Sequence, residues 1–218
     1  MGGYVPISAF ASLGYCERQV YLSLVRGLRI TTQAMRRGRV QHRISELTEE
    51  PRLRRMPGLM QRMRQHESVL QLPRESVGVG FKYGGYSFAG RIDLLIKRRG
   101  EILVVDEKFV RRSHGRMMPG YRYQLSAYCH ALRYGYATYR GGGGRQWLGR
   151  FPGCRLSYMV IERHRESRHR LSVLQESYAE EQFMPVLRRM VEILSGEEPK
   201  PEYSSKCRYC RFREVCVG

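Results

Sequence analysis

The stretch Gly90-Arg91-Ile92-Asp93-Leu94-Leu95-Ile96, the charged turn Arg98-Arg99-Gly100 and the run Val104-Val105-Asp106-Glu107-Lys108-Phe109 decide how this chain is read. Each acid closes or interrupts an apolar run with strand character. A carboxylate in such a place must be paired or metal-bound, because an isolated buried charge is very costly. Lys108 lies two residues beyond Asp106, so on a strand both side chains share a face, with α-carbons about 7 Å apart. The Glu107 side chain then points to the opposite face, while its peptide carbonyl is available beside Asp106. Two acids for a divalent cation and one adjacent lysine predict a phosphodiester-cleaving site. Carboxylate oxygens suit Mg²⁺ or Mn²⁺, with Asp93, Asp106 and the Glu107 carbonyl as ligands.

Working outward, residues 77–83, 86–96 and 102–110 read as a β-meander. The Gly84-Gly85 link is a hairpin signal. Upstream, residues 8–25 read as a helix, with Ser8 as N-cap and Phe10, Leu13, Tyr21, Leu22 and Val25 on its apolar side. Residues 33–50 and 52–67 read as two further helices. Downstream come a helix over 121–136 and a flexible loop at the four-glycine run 141–144. A hairpin over 156–162 and 171–174 follows. A last helix over 177–194 carries Phe183, Leu187, Met190, Val191 and Leu194 on its stripe, before Pro199 and Pro201. This order predicts an α/β layered domain, a small mixed sheet flanked by helices, and not a doubly wound fold. We divide it into an N-terminal helical segment (1–30), a core (31–198) and a C-terminal cysteine tail (199–218).

The chain has 218 residues, 42% of them hydrophobic, enough for one sizeable core and unlike a disordered polypeptide. No apolar run approaches the roughly 20 residues that span a bilayer. The opening Met1-Gly2-Gly3-Tyr4-Val5-Pro6 lacks the basic and apolar regions of a secretory signal, which predicts a cytoplasmic location. The formal charge of +19 and pI near 10.2 favour a polyanionic partner, with nucleic acid foremost. Only five of the 39 basic residues are lysines, so arginine usage accounts for part of that charge and Lys108 stands out. A compact ammonium at that place has a reason that a guanidinium would not satisfy.

Other residues fall into step with this core. His42 follows Gly38 at helical spacing and could add a nitrogen ligand that favours Mn²⁺. Gln124 and Tyr128 are four apart, hence on one helix face with a rise of about 6 Å. The glutamine could hold Lys108 or a phosphate; the tyrosine could touch the strand backbone or stack on a base. Tyr121-Arg122-Tyr123 and residues 134–140 interleave aromatic and basic side chains. They could line a groove that tracks a nucleic-acid strand, or form ordinary surface. Cys207-x-x-Cys210 followed by Cys216 puts three soft ligands in ten residues, with Cys16 as the fourth. Four thiolates bind either Zn²⁺ or an iron–sulfur cluster. Tying Cys16 to Cys207 would close a long loop, worth roughly 5 kcal/mol by chain-entropy arithmetic. Cys129 and Cys154 read as small buried apolar side chains.

The ordered set Gly38-x-x-x-His42, Gly90-x-x-Asp93, Asp106-x-Lys108, Gln124-x-x-x-Tyr128 resembles the PD-(D/E)xK nucleases, and within them the RecB-like branch. One N-terminal and three C-terminal cysteines around it resemble the CRISPR-associated RecB-like exonucleases. The resemblance runs from Cys16 to Cys216. It implies a restriction-endonuclease-like core whose two ends are joined by a [4Fe-4S] or [2Fe-2S] cluster on Cys16, Cys207, Cys210 and Cys216. It implies metal ligation by His42, Asp93 and Asp106, catalysis by Lys108, and Gln124 and Tyr128 as the helix pair. It also implies resection of single-stranded DNA ends with Mg²⁺ or Mn²⁺, and CRISPR integrase proteins as partners. Many relatives carry glutamate where this chain has Asp106. The competing expectations are a non-catalytic, zinc-stapled DNA-binding module, the nuclease domain of a DNA-repair helicase–nuclease system, and a nuclease acting on RNA.

Overall fold

The computed structural model describes residues 3–32, 36, 40, 70–72, 77–98, 100–110, 113, 115–141, 144–164 and 171–217. The helices expected over 33–50 and 52–67 therefore lie outside the described residues, positions 36 and 40 apart. His42 lies outside them too.

The chain builds two five-stranded mixed sheets rather than one small one. The first has the order β1 (Tyr4–Pro6), β4 (Tyr86–Arg91), β3 (Val77–Tyr83), β7 (Tyr136–Gly141), β8 (Gly144–Gly149). The second has the order β10 (Leu171–Ser177), β9 (Arg155–His164), β6 (Glu101–Val110), β5 (Leu94–Arg98), β2 (Leu70–Leu72). Among the described residues, β1–β4 and β6–β9 are the pairs that run parallel. The expected continuous strand over 86–96 is broken at Ile92-Asp93, where the chain leaves the first sheet for the second. The β3–β4 hairpin turns at Gly84 and Gly85, both at positive φ, as a two-residue turn with this twist requires. The four-glycine run joins β7 to β8, a hairpin absent from the sequence reading.

The expected helix over 8–25 is helical in pieces: α1 (Ala9–Tyr15), α2 (Glu17–Val20) and a π-turn at Tyr21–Val25. Cys16 between them is extended, with φ −166° and ψ 124°. Ser8 precedes α1, but its side chain makes no capping hydrogen bond. Phe10, Leu13, Tyr21 and Leu22 are buried as expected, whereas Val25 is exposed where the π-turn rotates the stripe. α3 (Pro119–Tyr134) is the central helix and packs on α1, β3, β6, β7, β9 and α4 (Glu180–Leu194). The α1–α3 crossing is close because both helices present glycine. A β-carbon on Gly14 would lie 2.4 Å from the Gly120 nitrogen, and one on Gly120 would lie 2.8 Å from the Ala11 carbonyl oxygen. On α4 the buried stripe is Phe183, Leu187, Met190 and Ile193; Val191 and Leu194 flank it half-buried. The tail is a 3₁₀ turn (Ser205–Tyr209) and α5 (Arg213–Val217), with Phe212 fully inside the core. Cys129 is buried as expected and burial pushes its thiol pKa up, but Cys154 is only half-buried.

His130 on α3 sits among the rings of Phe81, Tyr134 and Phe183, with Nδ1 3.0 Å from the Tyr178 hydroxyl. Burial first, and Arg133 second, outweigh Glu180 and bring its pKa down from 6.5 to about 4. The folded protein thus holds this ring neutral where the unfolded chain binds a proton. Stability should therefore fall as pH drops from 6.5 towards 4. Urea midpoints measured across that window should decrease with acidification, and His130→Gln should flatten the decrease.

Candidate active site

The break in the long strand is what assembles the acids. Leu94 pairs with Val105 in the antiparallel β5–β6 register, so Asp93, one residue earlier, stands level with Asp106. The Glu107 backbone N–H donates to Asp93 Oδ2 at 3.2 Å. Asp106 is 4% exposed, and its Oδ2 lies 2.8 Å from Lys108 Nζ. Strand alternation places Asp106 and Lys108 on one face of β6, as the spacing predicted, under α3. From α3, Gln124 Oε1 accepts from Lys108 Nζ at 3.5 Å, and Gln124 Nε2 donates to the Tyr128 hydroxyl at 3.3 Å. Tyr121, one turn earlier, puts its ring 5.8 Å from Lys108 Nζ. Burial and the neighbouring Glu162 and Asp106 carboxylates push its phenol pKa up to about 12. Asp93, through the Glu107 N–H, and Asp106, Lys108, Gln124 and Tyr128 thus form one connected polar chain from the bend before β5 through β6 to α3.

Glu107 does what its odd position in the triplet requires. Its carboxylate lies on the far face of β6 and pairs with Arg163 of β9. Only its peptide group belongs to the Asp93–Asp106 corner. The residue missed from sequence is Glu162. It is 0% exposed, stands in register with Lys108 on the parallel strand β9, and accepts from Ser113 Oγ at 2.6 Å. Glu162 closes the apolar run Tyr158 to Ile161, the same signature that singled out Asp106. Arg122, for which the sequence left a strand-tracking groove and ordinary surface both open, is clasped by Glu176 through Nε (2.8 Å) and Nη2 (2.6 Å).

The oxygen donors of Asp93 and Asp106 are of the hard type that Mg²⁺ or Mn²⁺ takes, and the Glu107 peptide holds them on one corner. The segment around Cys16 and the C-terminal tail are held together by hydrogen bonds. Tyr15 donates to the Lys206 carbonyl at 2.7 Å, and Arg18 to the Pro199 carbonyl at 2.9 Å. Cys16, Cys207 and Cys210 line a cavity of about 650 Å³. Burial, with the Cys210 and Cys216 sulfurs nearby, raises the Cys16 pKa against its own backbone hydrogen bonds. Gln19 Nε2 and the Phe212 N–H donate to Cys210 Sγ at 3.2 and 3.4 Å, and the Ser204 N–H to Cys207 Sγ at 3.4 Å. Soft donors with N–H groups aimed at sulfur suit an iron–sulfur cluster. Among the described residues, however, no three His, Cys, Asp or Glu side chains stand close enough together to hold a metal.

The profile of the PD-(D/E)XK nuclease superfamily matches residues 28–217, and the chain belongs to that superfamily. Its members are nucleases that act on DNA with divalent metals such as Mg²⁺ or Mn²⁺. The crystal structure of SSO0001 aligns over 98% of this chain and 85% of that one, with a TM-score of 0.51 at 14% identity, a likeness of fold. A crystal structure of a candidate exonuclease from Eubacterium rectale aligns over 94% of this chain and 87% of that one, with a TM-score of 0.46 at 12% identity. No curated protein matches the sequence. No helix among the described residues is long and apolar enough to cross a membrane.

Proposed function

We propose that this protein is a metal-dependent deoxyribonuclease that resects single-stranded DNA ends, acting in the cytoplasm with integrase proteins in CRISPR spacer acquisition. The observation that carries the nuclease reading is the connected chain Asp93, Asp106, Lys108, Gln124, Tyr128. Its order matches the RecB-like motifs, and its contacts bring together the bend before β5, strand β6 and α3. Asp93 and Asp106 would hold the cation, with the Glu107 carbonyl beside them and His42 as the nitrogen donor. A divalent ion there polarises a phosphoryl oxygen and makes hydroxide available near neutral pH. Lys108 neutralises charge that builds on the phosphate, and Gln124, steadied by Tyr128, holds the ammonium in place.

The cysteines support the narrower CRISPR-associated assignment. Cys16, Cys207, Cys210 and Cys216 would hold an iron–sulfur cluster that ties segment 1–30 and tail 199–218 to the core. Anaerobically purified protein should be brown, with broad absorption near 400 nm and acid-labile sulfide equal to iron. It should degrade end-labelled single-stranded DNA with Mg²⁺ or Mn²⁺ and not with chelator. A colourless, zinc-containing protein that binds DNA without cutting it would overturn this reading in favour of a zinc-stapled binding module.

A further inference from the structure

The first sheet buries one face, and the other carries exposed aromatic and basic side chains over a covered floor at Gly80 and Thr138, the composition of a base-stacking platform. Strand alternation and register put Tyr4, Lys82, Arg91, Tyr136 and Trp147 on that face. The opposite positions Val5, Val77, Val79, Phe81 and Phe88 are buried in the core. Between the aromatic edges the cross-strand rows carry small side chains. Trp147 pairs with Thr138, Thr138 with Gly78 and Gly78 with Arg91; Tyr136 pairs with Gly80 and Gly80 with Ala89. Glycine is required under the tyrosine, since a β-carbon on Gly80 would lie 2.5 Å from the Tyr136 hydroxyl oxygen. The result is a trough with a floor of glycine and alanine.

Trp147 is 66% exposed and Tyr4 71%, so both rings are available to a ligand on this face. The Trp147 ring stacks on Tyr136 at 5.7 Å and 24°. At the other end a cavity of about 450 Å³ is lined by Tyr4, Arg91, Tyr136 and Tyr128. Tyr128 is the last member of the polar chain that begins at Lys108, and Arg91 is two residues from Asp93. The cavity therefore ties this end of the sheet to Tyr128, the residue that accepts from Gln124 on α3. Lys82 and Arg91 on the same face are exposed. In a protein of charge +19, stacking faces alternating with cations favour one polyanion, a nucleic-acid strand with unpaired bases. A duplex would offer no base faces to these rings.

We propose that the open face of the first sheet is the single-strand path. Bases stack on Trp147 and Tyr136 and then on Tyr4, and Lys82 and Arg91 hold the phosphates. This deepens the nuclease reading and rests on it only for the direction of travel, towards Asp106 and Lys108. Trp147 is the sole tryptophan, so its emission reports this surface alone. In chelator, oligothymidylate should quench that emission, and a blunt duplex of equal length should not. By anisotropy of labelled oligonucleotide, Trp147→Ala should weaken binding about 5- to 100-fold, and Trp147→Phe should recover most of the loss. Tight single-strand binding with unmoved Trp147 emission, or Trp147→Ala binding like the parent, overturns the proposal. Asp106→Ala should still be quenched. Quenching in a protein that cuts nothing overturns the nuclease reading alone; cutting without quenching overturns this surface alone.

Discussion

Asp106→Ala and Lys108→Ala are each expected to abolish metal-dependent DNA cleavage while leaving a folded protein. Asp106 is a buried carboxylate 2.8 Å from Lys108 Nζ, so its loss removes the lysine's anchor together with the cation ligand proposed above. Loss of the ammonium removes a charge preorganised for the transition state, worth about 10²- to 10³-fold in turnover by analogy with single oxyanion donors. Lys108→Arg should rescue poorly, because a planar guanidinium cannot occupy a point-charge site between Asp106 and Gln124. Asp106→Glu is the informative conservative change. It lengthens the reach by one methylene, so it should keep activity and alter the ratio of Mg²⁺- to Mn²⁺-supported rates. Single-turnover cleavage of end-labelled DNA measures all four variants, with circular dichroism to establish the fold. Activity like the parent's in both alanine variants would remove Asp106 and Lys108 from the catalytic centre.

Arg163→Ala should be among the most destabilising single changes in the molecule. Glu107 is 3% exposed and its carboxylate pairs with Arg163, itself largely covered, on the far face of β6 and β9. Removing one partner of a buried ion pair typically costs about 3–5 kcal/mol, because the remaining charge has lost both water and its counterion. For a chain of this length that corresponds to a drop of about 6–20 °C in Tm. Replacing both residues, as Glu107→Met with Arg163→Met, should restore most of the loss, since an apolar pair of similar volume often matches a buried ion pair. The Glu107 N–H also holds Asp93 Oδ2 at 3.2 Å, so a relaxed β6 should slow cleavage as well as lower Tm. Urea denaturation of the single and double variants, read as a double-mutant cycle, separates the pair from its surroundings. An Arg163→Ala protein as stable as the parent would show that Glu107 gains its stabilisation elsewhere.

Local pattern carried much of the reading. The β3–β4 hairpin follows from Gly84-Gly85 between alternating runs, because only residues free to take positive φ close so short a turn. The shared face of Asp106 and Lys108, and the opposite face of Glu107, follow from the two-residue period of a strand. Gln124 and Tyr128 meet because four residues bring a helix round to the same side. Other features failed for identifiable reasons. Residues 86–96 read as one strand because β4 and β5 are both apolar; the break at Ile92-Asp93 reflects which sheet each half joins, a matter of distant partners. The β7–β8 hairpin was hidden by its glycine run, which also reads as a plain loop. Glu162 carried the signal of a buried acid ending an apolar run, but its position beside Lys108 depends on the parallel β6–β9 pairing. Parallel partners are separated by long connections and leave no local trace.

By itself the sequence determined the chemistry on offer: two acids and a lysine at strand spacing, a glutamine and tyrosine at helix spacing, and soft ligands at both ends. Those are matters of period and residue type, and period is local. Tertiary structure alone decided that Asp93 comes level with Asp106 where the chain passes from one sheet to the other, and that Glu162 stands beside Lys108 on the neighbouring strand. It alone decided that α3 lays Gln124 over Lys108, and that Tyr136 and Trp147 stack on one face of the first sheet. Each is a contact between segments far apart in the chain, set by sheet order and helix packing, which residue spacing does not encode.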